Sequence, residues 1–293
     1  MSLTDSNWYV EEWEDGNASI GLRLAEAAKV HEEQSPYQKI AIYDTVGFGR
    51  LMTIDGLVML TSRDNFIYHE MMSHPALYAH PNPKRVVIIG GGDCGTLREV
   101  LKHPGVEHCL QVDIDERVTR ISEMYFPELC DANSDERAEL AFIDGVKWME
   151  EVEPGSVDVI IVDSTDPVGF AEGLFKIEFF KTCLRALAKP GVMVQQSESP
   201  LFHSALIAGM HKNLKLAGFD AVSTLNFPQC TYPSGWWSCT MAGKGVDPAK
   251  PRLKDAARKE FVTRYYHAEL HRGALAIPQF LIDRIAESAQ DPE

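Results

Sequence analysis

Apolar and polar positions alternate over short stretches in the first part of the chain. The segments Ser19–Val30, Lys39–Asp44, Gly49–Ile54 and Leu57–Thr61 are separated by turn residues. This spacing predicts β-strands and hairpins, with Asp55-Gly56 as a tight turn between two of them. A helix is expected from about Ser62 to Met72, with Thr61 and Asp64 spaced as a capping box. Pro81-Asn82-Pro83-Lys84 reads as a rigid linker. It divides the chain into an N-terminal β-strand/hairpin domain, 1–80, and a larger domain, 81–293.

Beyond residue 85 the period changes. Val86–Ile89 and Val157–Val162 are continuous apolar runs, as expected of strands buried on both faces. Further strands are predicted at Cys109–Asp113, Leu140–Ile143 and Val192–Gln196. Helices are predicted at Cys94–His103, Arg117–Tyr125, Val146–Glu151, Phe175–Ala188 and Ala205–Ala217. Phe219–Leu225 and Trp237–Ala242 are expected to close the sheet as an antiparallel pair, and Glu287–Glu293 to fray. This alternation defines an α/β fold with a mostly parallel sheet covered on both faces.

Composition narrows the function. The formal net charge is −15, which speaks against nucleic acid and anionic membranes as partners, because both recruit basic faces. A negative envelope suits a cationic ligand. No apolar run approaches the roughly 20 residues of a membrane span. The N-terminus carries no basic segment ahead of an apolar one, so no secretory signal is expected. The six cysteines show no C-x-x-C spacing and no paired histidine ligands. No metal site is expected, and the thiols read as reduced and cytoplasmic.

The chemistry begins at Gly90-Gly91-Gly92-Asp93-Cys94-Gly95, which fits G-x-G-x-x-G between a strand and a helix. Asp113 ends the next strand, where a carboxylate accepts hydrogen bonds from ribose hydroxyls. Together they predict a nucleoside-type ligand. Asp93 inside the turn would repel a pyrophosphate, so a dinucleotide, and with it a dehydrogenase, fits poorly. An S-adenosyl compound, with its sulfonium and amine, fits better. Asp144-Gly145, after the third strand, places a further carboxylate within reach of an adenine amino group.

The fourth strand ends in Asp163-Ser164-Thr165-Asp166-Pro167. Taken alone these are turn residues, yet with Asp93, Asp113 and Asp144 they ring one crevice, and Glu198 lies nearby. Such a ring needs a cationic occupant, most simply an amine. One acid would anchor the ammonium while another accepts the proton of the attacking nitrogen.

At this point the sequence resembles the polyamine aminopropyltransferases, the spermidine synthase family, from Trp8 to about Pro278. The resemblance rests on Trp8-x-x-Glu11, Ser35-Pro36-Tyr37-Gln38, Tyr68-His69-Glu70-Met71, Gly90-Gly91-Gly92-Asp93, Leu97-Arg98-Glu99-Val100, Asp144-Gly145, Asp163-Ser164-Thr165-Asp166-Pro167, Thr231-Tyr232-Pro233-Ser234-Gly235 and His271-Arg272. It implies a small N-terminal β-domain before a Rossmann-like, class I methyltransferase-type domain. It also implies transfer of an aminopropyl group from decarboxylated S-adenosylmethionine, a co-substrate rather than a bound cofactor, to a diamine. Putrescine would give spermidine and methylthioadenosine. The roles implied are Asp163 as general base with Tyr68 beside it, and Asp166 and Tyr232 lining the acceptor channel under Trp8. Asp93 would hold the donor's ammonium. Gln38 and His69 would contact the donor, Asp113 its ribose, and Asp144 with Gly145 its adenine. A homodimer or homotetramer is expected.

The chain departs from the family pattern at five positions. Met59 replaces a Gln, Asn65 a Glu, Cys94 a Gly, Asp113 a Glu and Phe170 a Pro. Met59 and Asn65 bear on the acceptor, which leaves cadaverine, agmatine and spermidine as alternatives to putrescine. A methyltransferase on the same sheet, or a polyamine or nucleoside binder without turnover, are the competing functions. Met71-Met72, Trp236-Trp237, Trp13 and His271-Arg272 read as packing or interface residues. His74 and His80 read as surface or turn residues, and Gly169–Gly173 as a lid.

Overall fold

The computed structural model describes residues 6–13, 18–166 and 169–290. Its first sheet is an antiparallel meander of β1 (Trp8–Trp13), β2 (Ala18–Gln34), β3 (Lys39–Thr45), β4 (Gly49–Ile54) and β5 (Leu57–Thr61). The sequence pattern located all of these but β1. Strand β2 changes register between Leu24 and His31, with Ala27 at φ 53°, and this bend lets one long strand pair with both β1 and β3. Asp55 and Gly56 both have positive φ, as the expected tight turn requires. The inner face of the sheet (Ile40, Ile42, Met52, Ile54, Leu60) packs on Val118, Ile121, Phe126 and Leu129 from the second domain. That contact sets one wall of a cleft between the two sheets.

The second sheet contains β6 (Arg85–Gly90), β7 (His108–Asp113), β8 (Ala138–Phe142), β9 (Val157–Asp163), β10 (Leu187–Gln196), β11 (Ala221–Pro228) and β12 (Trp236–Lys244). The spatial order is β11-β12-β10-β9-β6-β7-β8. All neighbours are parallel except that β12 runs antiparallel between β10 and β11. The alternate side chains of β6 and β9 feed two apolar clusters, one on each face. This is why those strands read as unbroken hydrophobic runs. The helices α2 (Gly95–Leu101), α3 (Glu116–Tyr125), α4 (Gly145–Glu151), α5 (Ile177–Ala186) and α6 (Ser204–Ala217) fall where they were expected.

On one face of the second sheet, against β9 and β10, lies α1 (Asn65–Ala79). On sequence pattern it precedes the linker, yet its Met71, Met72, Ala76 and Leu77 are buried in the same cluster as β6 and β9. It starts at Asn65 rather than Ser62, and the capping box does not form. The Asp64 carboxylate instead accepts hydrogen bonds from the Thr61 and Thr231 hydroxyls. His74 is fully buried in this helix between His103 and Glu99, which corrects the surface assignment. His80 is a satisfied turn histidine, bonded to Pro190 O and Asn82 N–H. Three C-terminal helices, α7 (Leu253–Ala256), α8 (Ala268–Ala274) and α9 (Gln279–Ser288), were not legible. The expected frayed tail begins inside α9, and residues 291–293 lie outside the described chain.

Candidate functional site

The carboxyl ends of β6, β7 and β9 open into a cleft of about 1080 Å³ including its mouth. Its floor is the glycine turn. Gly90 has φ +84°, and a Cβ there would fall 2.2 Å from the Asp163 carbonyl oxygen. Only glycine lets the ends of β6 and β9 close so tightly. A Cβ on Gly95 would lie 2.2 Å from the His69 ring, so α2 starts directly against α1.

Asp93 hangs from this turn. Its Oδ1 accepts the Gly95 N–H at 2.7 Å and its Oδ2 lies 3.1 Å from His69 Nε2. Burial opposes its charge, but the His69 ring and these hydrogen bonds outweigh burial and hold the carboxyl below its ordinary range. Burial likewise opposes the charge on His69, and Asp93 overcomes it, so the imidazole binds its proton more tightly than usual. Asp163, at the end of β9, accepts the Tyr68 hydroxyl on Oδ1 at 2.7 Å and the Thr96 hydroxyl on Oδ2 at 2.6 Å. Burial, followed by the Asp93 charge, raises its pKa. The two acids therefore stand in opposite states of tuning: one is kept ionised, the other is made a better proton acceptor.

A second, smaller cavity of about 370 Å³ adjoins the first. Met59, Tyr68, Ser164, Thr165 and Tyr232 line both. The rings of Tyr68 and Tyr232 meet edge-on, centroids 5.8 Å apart, at this junction. Beyond them the small cavity is walled by Glu11, Asp166 and Gln196. Burial, with the Asp166 charge, pushes the Glu198 pKa up to about 9. Burial raises Glu11 as well. A cation beside such acids favours their charged form.

The other expected residues divide between these cavities. Gln38, Asp113, Asp144 and Gly145 line the large one. Gln38 is braced by Asp115, which accepts its Nε2–H at 3.0 Å. Burial pushes Asp113 up to about 6. Asp144 also caps α4, accepting the Val146 and Lys147 N–H groups. His69 stands behind Asp93 rather than in the wall. Trp8 starts β1 opposite Arg23 and lines neither cavity. Glu11, three residues along the same strand, takes that place, and Trp13 donates its indole N–H to it. Trp13 thus does more than pack. Thr96 and Gln196 were not singled out from sequence; only their positions just past a glycine turn and at a strand end mark them. Met59 lies in both cavity walls, whereas Asn65 is buried behind them with its amide on Thr61 O. Ala171, inside the expected lid, and Leu174, just after it, belong to a 3-10 stretch against the large cavity. Pro167 and the Phe170 side chain lie outside the described residues.

With this geometry established, likeness to known proteins is informative. Residues 65–250 match the spermine/spermidine synthase domain and residues 7–62 the spermidine synthase tetramerisation domain. The chain is 60% identical over 281 residues to the polyamine aminopropyltransferase of Methylococcus capsulatus, covering 96% of this chain and 98% of that one. It is 59% identical to that of Thioalkalivibrio sulfidiphilus, with the same coverage of each. A solved spermidine synthase in complex with the transition-state analogue AdoDATO superimposes with a TM-score of 0.92 at 33% identity, covering 97% of this chain and 96% of that one. The Thermotoga maritima spermidine synthase gives 0.89, also at 33% identity, over 96% and 94%. The chain belongs to the spermine/spermidine synthase family and is an aminopropyltransferase. Its second domain is of the methyltransferase-like α/β type that the resemblance implied.

Proposed function

We propose that the protein transfers the aminopropyl group of decarboxylated S-adenosylmethionine to putrescine, giving spermidine and methylthioadenosine. The observation that carries this reading is the meeting of a nucleoside-sized cavity with a smaller acid-walled one at Asp163, Tyr68 and Tyr232. The donor would occupy the large cavity. Asp113 would take the ribose hydroxyls, Asp144 and Gly145 would face the adenine, and Gln38 would close over it. Asp93, kept ionised by His69, would hold the aminopropyl ammonium. Its charge would repel the carboxylate of ordinary S-adenosylmethionine, which argues against methyl transfer.

The diamine would lie in the small cavity, its distal ammonium against Glu11, Asp166 and Glu198. Its proximal nitrogen would then meet Asp163 at the junction. Asp163 takes a proton from that nitrogen, the freed lone pair attacks the aminopropyl carbon next to sulfur, and the C–S pair returns to sulfur. The sulfonium is already an activated leaving group, so alignment supplies most of what remains, on the order of 7–11 kcal/mol. No cofactor beyond the donor is required. The tetramerisation-domain match supports an oligomer, homodimer or homotetramer. The six free cysteines suit a reducing cytoplasm.

The test is methylthioadenosine release from decarboxylated donor with putrescine, cadaverine, agmatine or spermidine. Putrescine should support the fastest release. Faster release with another amine moves the acceptor assignment and points to Met59. Binding without release would leave a polyamine or nucleoside binder.

A further inference from the structure

We propose that Thr96 is a positioning residue for the transfer: its hydroxyl locks the Asp163 carboxylate in register with Asp93, so that one helical turn sets both the base and the donor anchor. This role rests on the reading of Asp163 as the proton acceptor. Thr96 is completely buried and lines neither cavity, so it acts through Asp163 and not on the reactants.

Asp163 is fastened at three points. Its backbone oxygen accepts the Gly91 N–H at 2.8 Å. Its Oδ1 accepts the Tyr68 hydroxyl of α1 at 2.7 Å, and its Oδ2 accepts the Thr96 hydroxyl of α2 at 2.6 Å. The last torsion of an aspartate is soft. One hydroxyl leaves the carboxylate free to pivot, and a second on the other oxygen fixes its plane. The Thr96 contact falls in the short range of charge-assisted O–H···O⁻ bonds. In helices a threonine hydroxyl often turns back to the carbonyl four residues earlier. That carbonyl, Gly92 O, already accepts the Thr119 hydroxyl and the Cys94 thiol. The Thr96 hydroxyl is thus spent on Asp163.

The same turn holds the other acid. The Gly95 N–H donates to Asp93 Oδ1 at 2.7 Å, and the next residue holds Asp163. A Cβ on Gly95 would meet the His69 ring, so the turn is seated directly on α1. Asp93 and Asp163 are therefore tied to consecutive residues and do not drift independently. Displacement at carbon needs nitrogen, carbon and sulfur in line, and a misplacement of about 1 Å can cost on the order of 10²-fold.

The charged and titratable groups facing Asp163 are Asp93 on the turn, Tyr68 and His69 on α1, Asp113 at the end of β7, and Tyr232 ahead of β12. Burial and then Asp93 raise the Asp163 pKa, while His69, the Thr96 hydroxyl and the Tyr68 hydroxyl oppose the rise. Loss of the Thr96 hydroxyl alone makes the carboxyl harder to ionise.

The experiment compares Thr96→Val, which keeps the shape and loses the hydroxyl, with Thr96→Ser, which keeps the hydroxyl. Methylthioadenosine release from decarboxylated donor and putrescine is followed against pH, and methylthioadenosine affinity is measured separately. Thr96→Val should lose about 10–100-fold in kcat. Its acid limb should move to higher pH, with affinity close to that of the unaltered protein. Thr96→Ser should restore the limb and most of the rate. Thr96→Ala, which cannot overpack, carries the same prediction as Thr96→Val and replaces it if that variant does not fold. An unmoved limb, or equal losses in the Ser and Val variants, would overturn the role of the hydroxyl. So would weakened affinity at an unchanged kcat. Asp163→Asn, assayed in parallel, separates the two readings. Normal turnover in that variant removes the base assignment and the role of Thr96 with it. Loss of turnover there, with Thr96→Val unimpaired, removes the role of Thr96 alone.

Discussion

Tyr68 donates its hydroxyl to Asp163 Oδ1 at 2.7 Å, joining α1 to the end of a strand 95 residues later. This bond favours the ionised carboxylate, while burial and Asp93 oppose it. Removing it in Tyr68→Phe leaves Asp163 harder to ionise and less well aimed. Turnover should fall by about 10–100-fold, within the range of general-base defects. The acid limb of the kcat profile should also move to higher pH. A purely structural role for Tyr68 would lower the rate without moving that limb.

Asp113 makes both stability and nucleoside binding depend on pH. Its carboxyl titrates at about 6 in the fold, because of burial, against about 3.9 in an unfolded chain. The folded state binds the proton more tightly, so this group adds stability at low pH that is lost as pH rises through about 6. Nucleoside binding runs the other way, since the ionised carboxylate is the stronger acceptor for ribose hydroxyls. Methylthioadenosine affinity measured by calorimetry should therefore weaken as pH falls through about 6. Asp113→Asn should bind more weakly and lose that step.

At the other end of the site, Glu198 holds a proton up to about pH 9 because it is buried beside Asp166. An ammonium group arriving between them favours the charged pair and expels that proton. Putrescine binding near neutral pH should release protons, seen as a dependence of the apparent calorimetric enthalpy on buffer ionisation. Glu198→Gln should abolish the release and raise the acceptor KM more than it lowers kcat.

The parts of this site that were readable in the sequence share one cause. Parallel sheets carry ligands at strand ends, so Asp93, Asp113, Asp144 and Asp163 could be placed in one crevice from their positions after apolar runs. The second layer was harder. Thr96 matters because α2 starts against Asp163, a consequence of three-dimensional closure at Gly90 and Gly95. Glu11 reaches the small cavity only because β1 joins the meander, and β1 has little apolar periodicity to announce it. Trp8, on the same strand, is expected to cover the acceptor channel but lines neither cavity. Helix α1 illustrates tertiary context: buried nearly all round, it shows almost no amphipathic pattern from which its end could be read. Glu70 on that helix accepts the N–H groups of Arg264, Tyr265 and Tyr266, an anchor formed by residues nearly 200 positions apart that no local pattern reveals.

Aminopropyl transfer at this site depends on one proton acceptor. Asp163→Asn keeps the size of the side chain and an oxygen for Tyr68, but removes the basic carboxylate. The direct measurement is methylthioadenosine release from decarboxylated donor and putrescine, with donor affinity measured in parallel. The account predicts a fall in turnover of roughly 10²–10⁴-fold with donor affinity close to that of the unaltered protein. Turnover at the unaltered rate would contradict it, because the amine would then be losing its proton elsewhere.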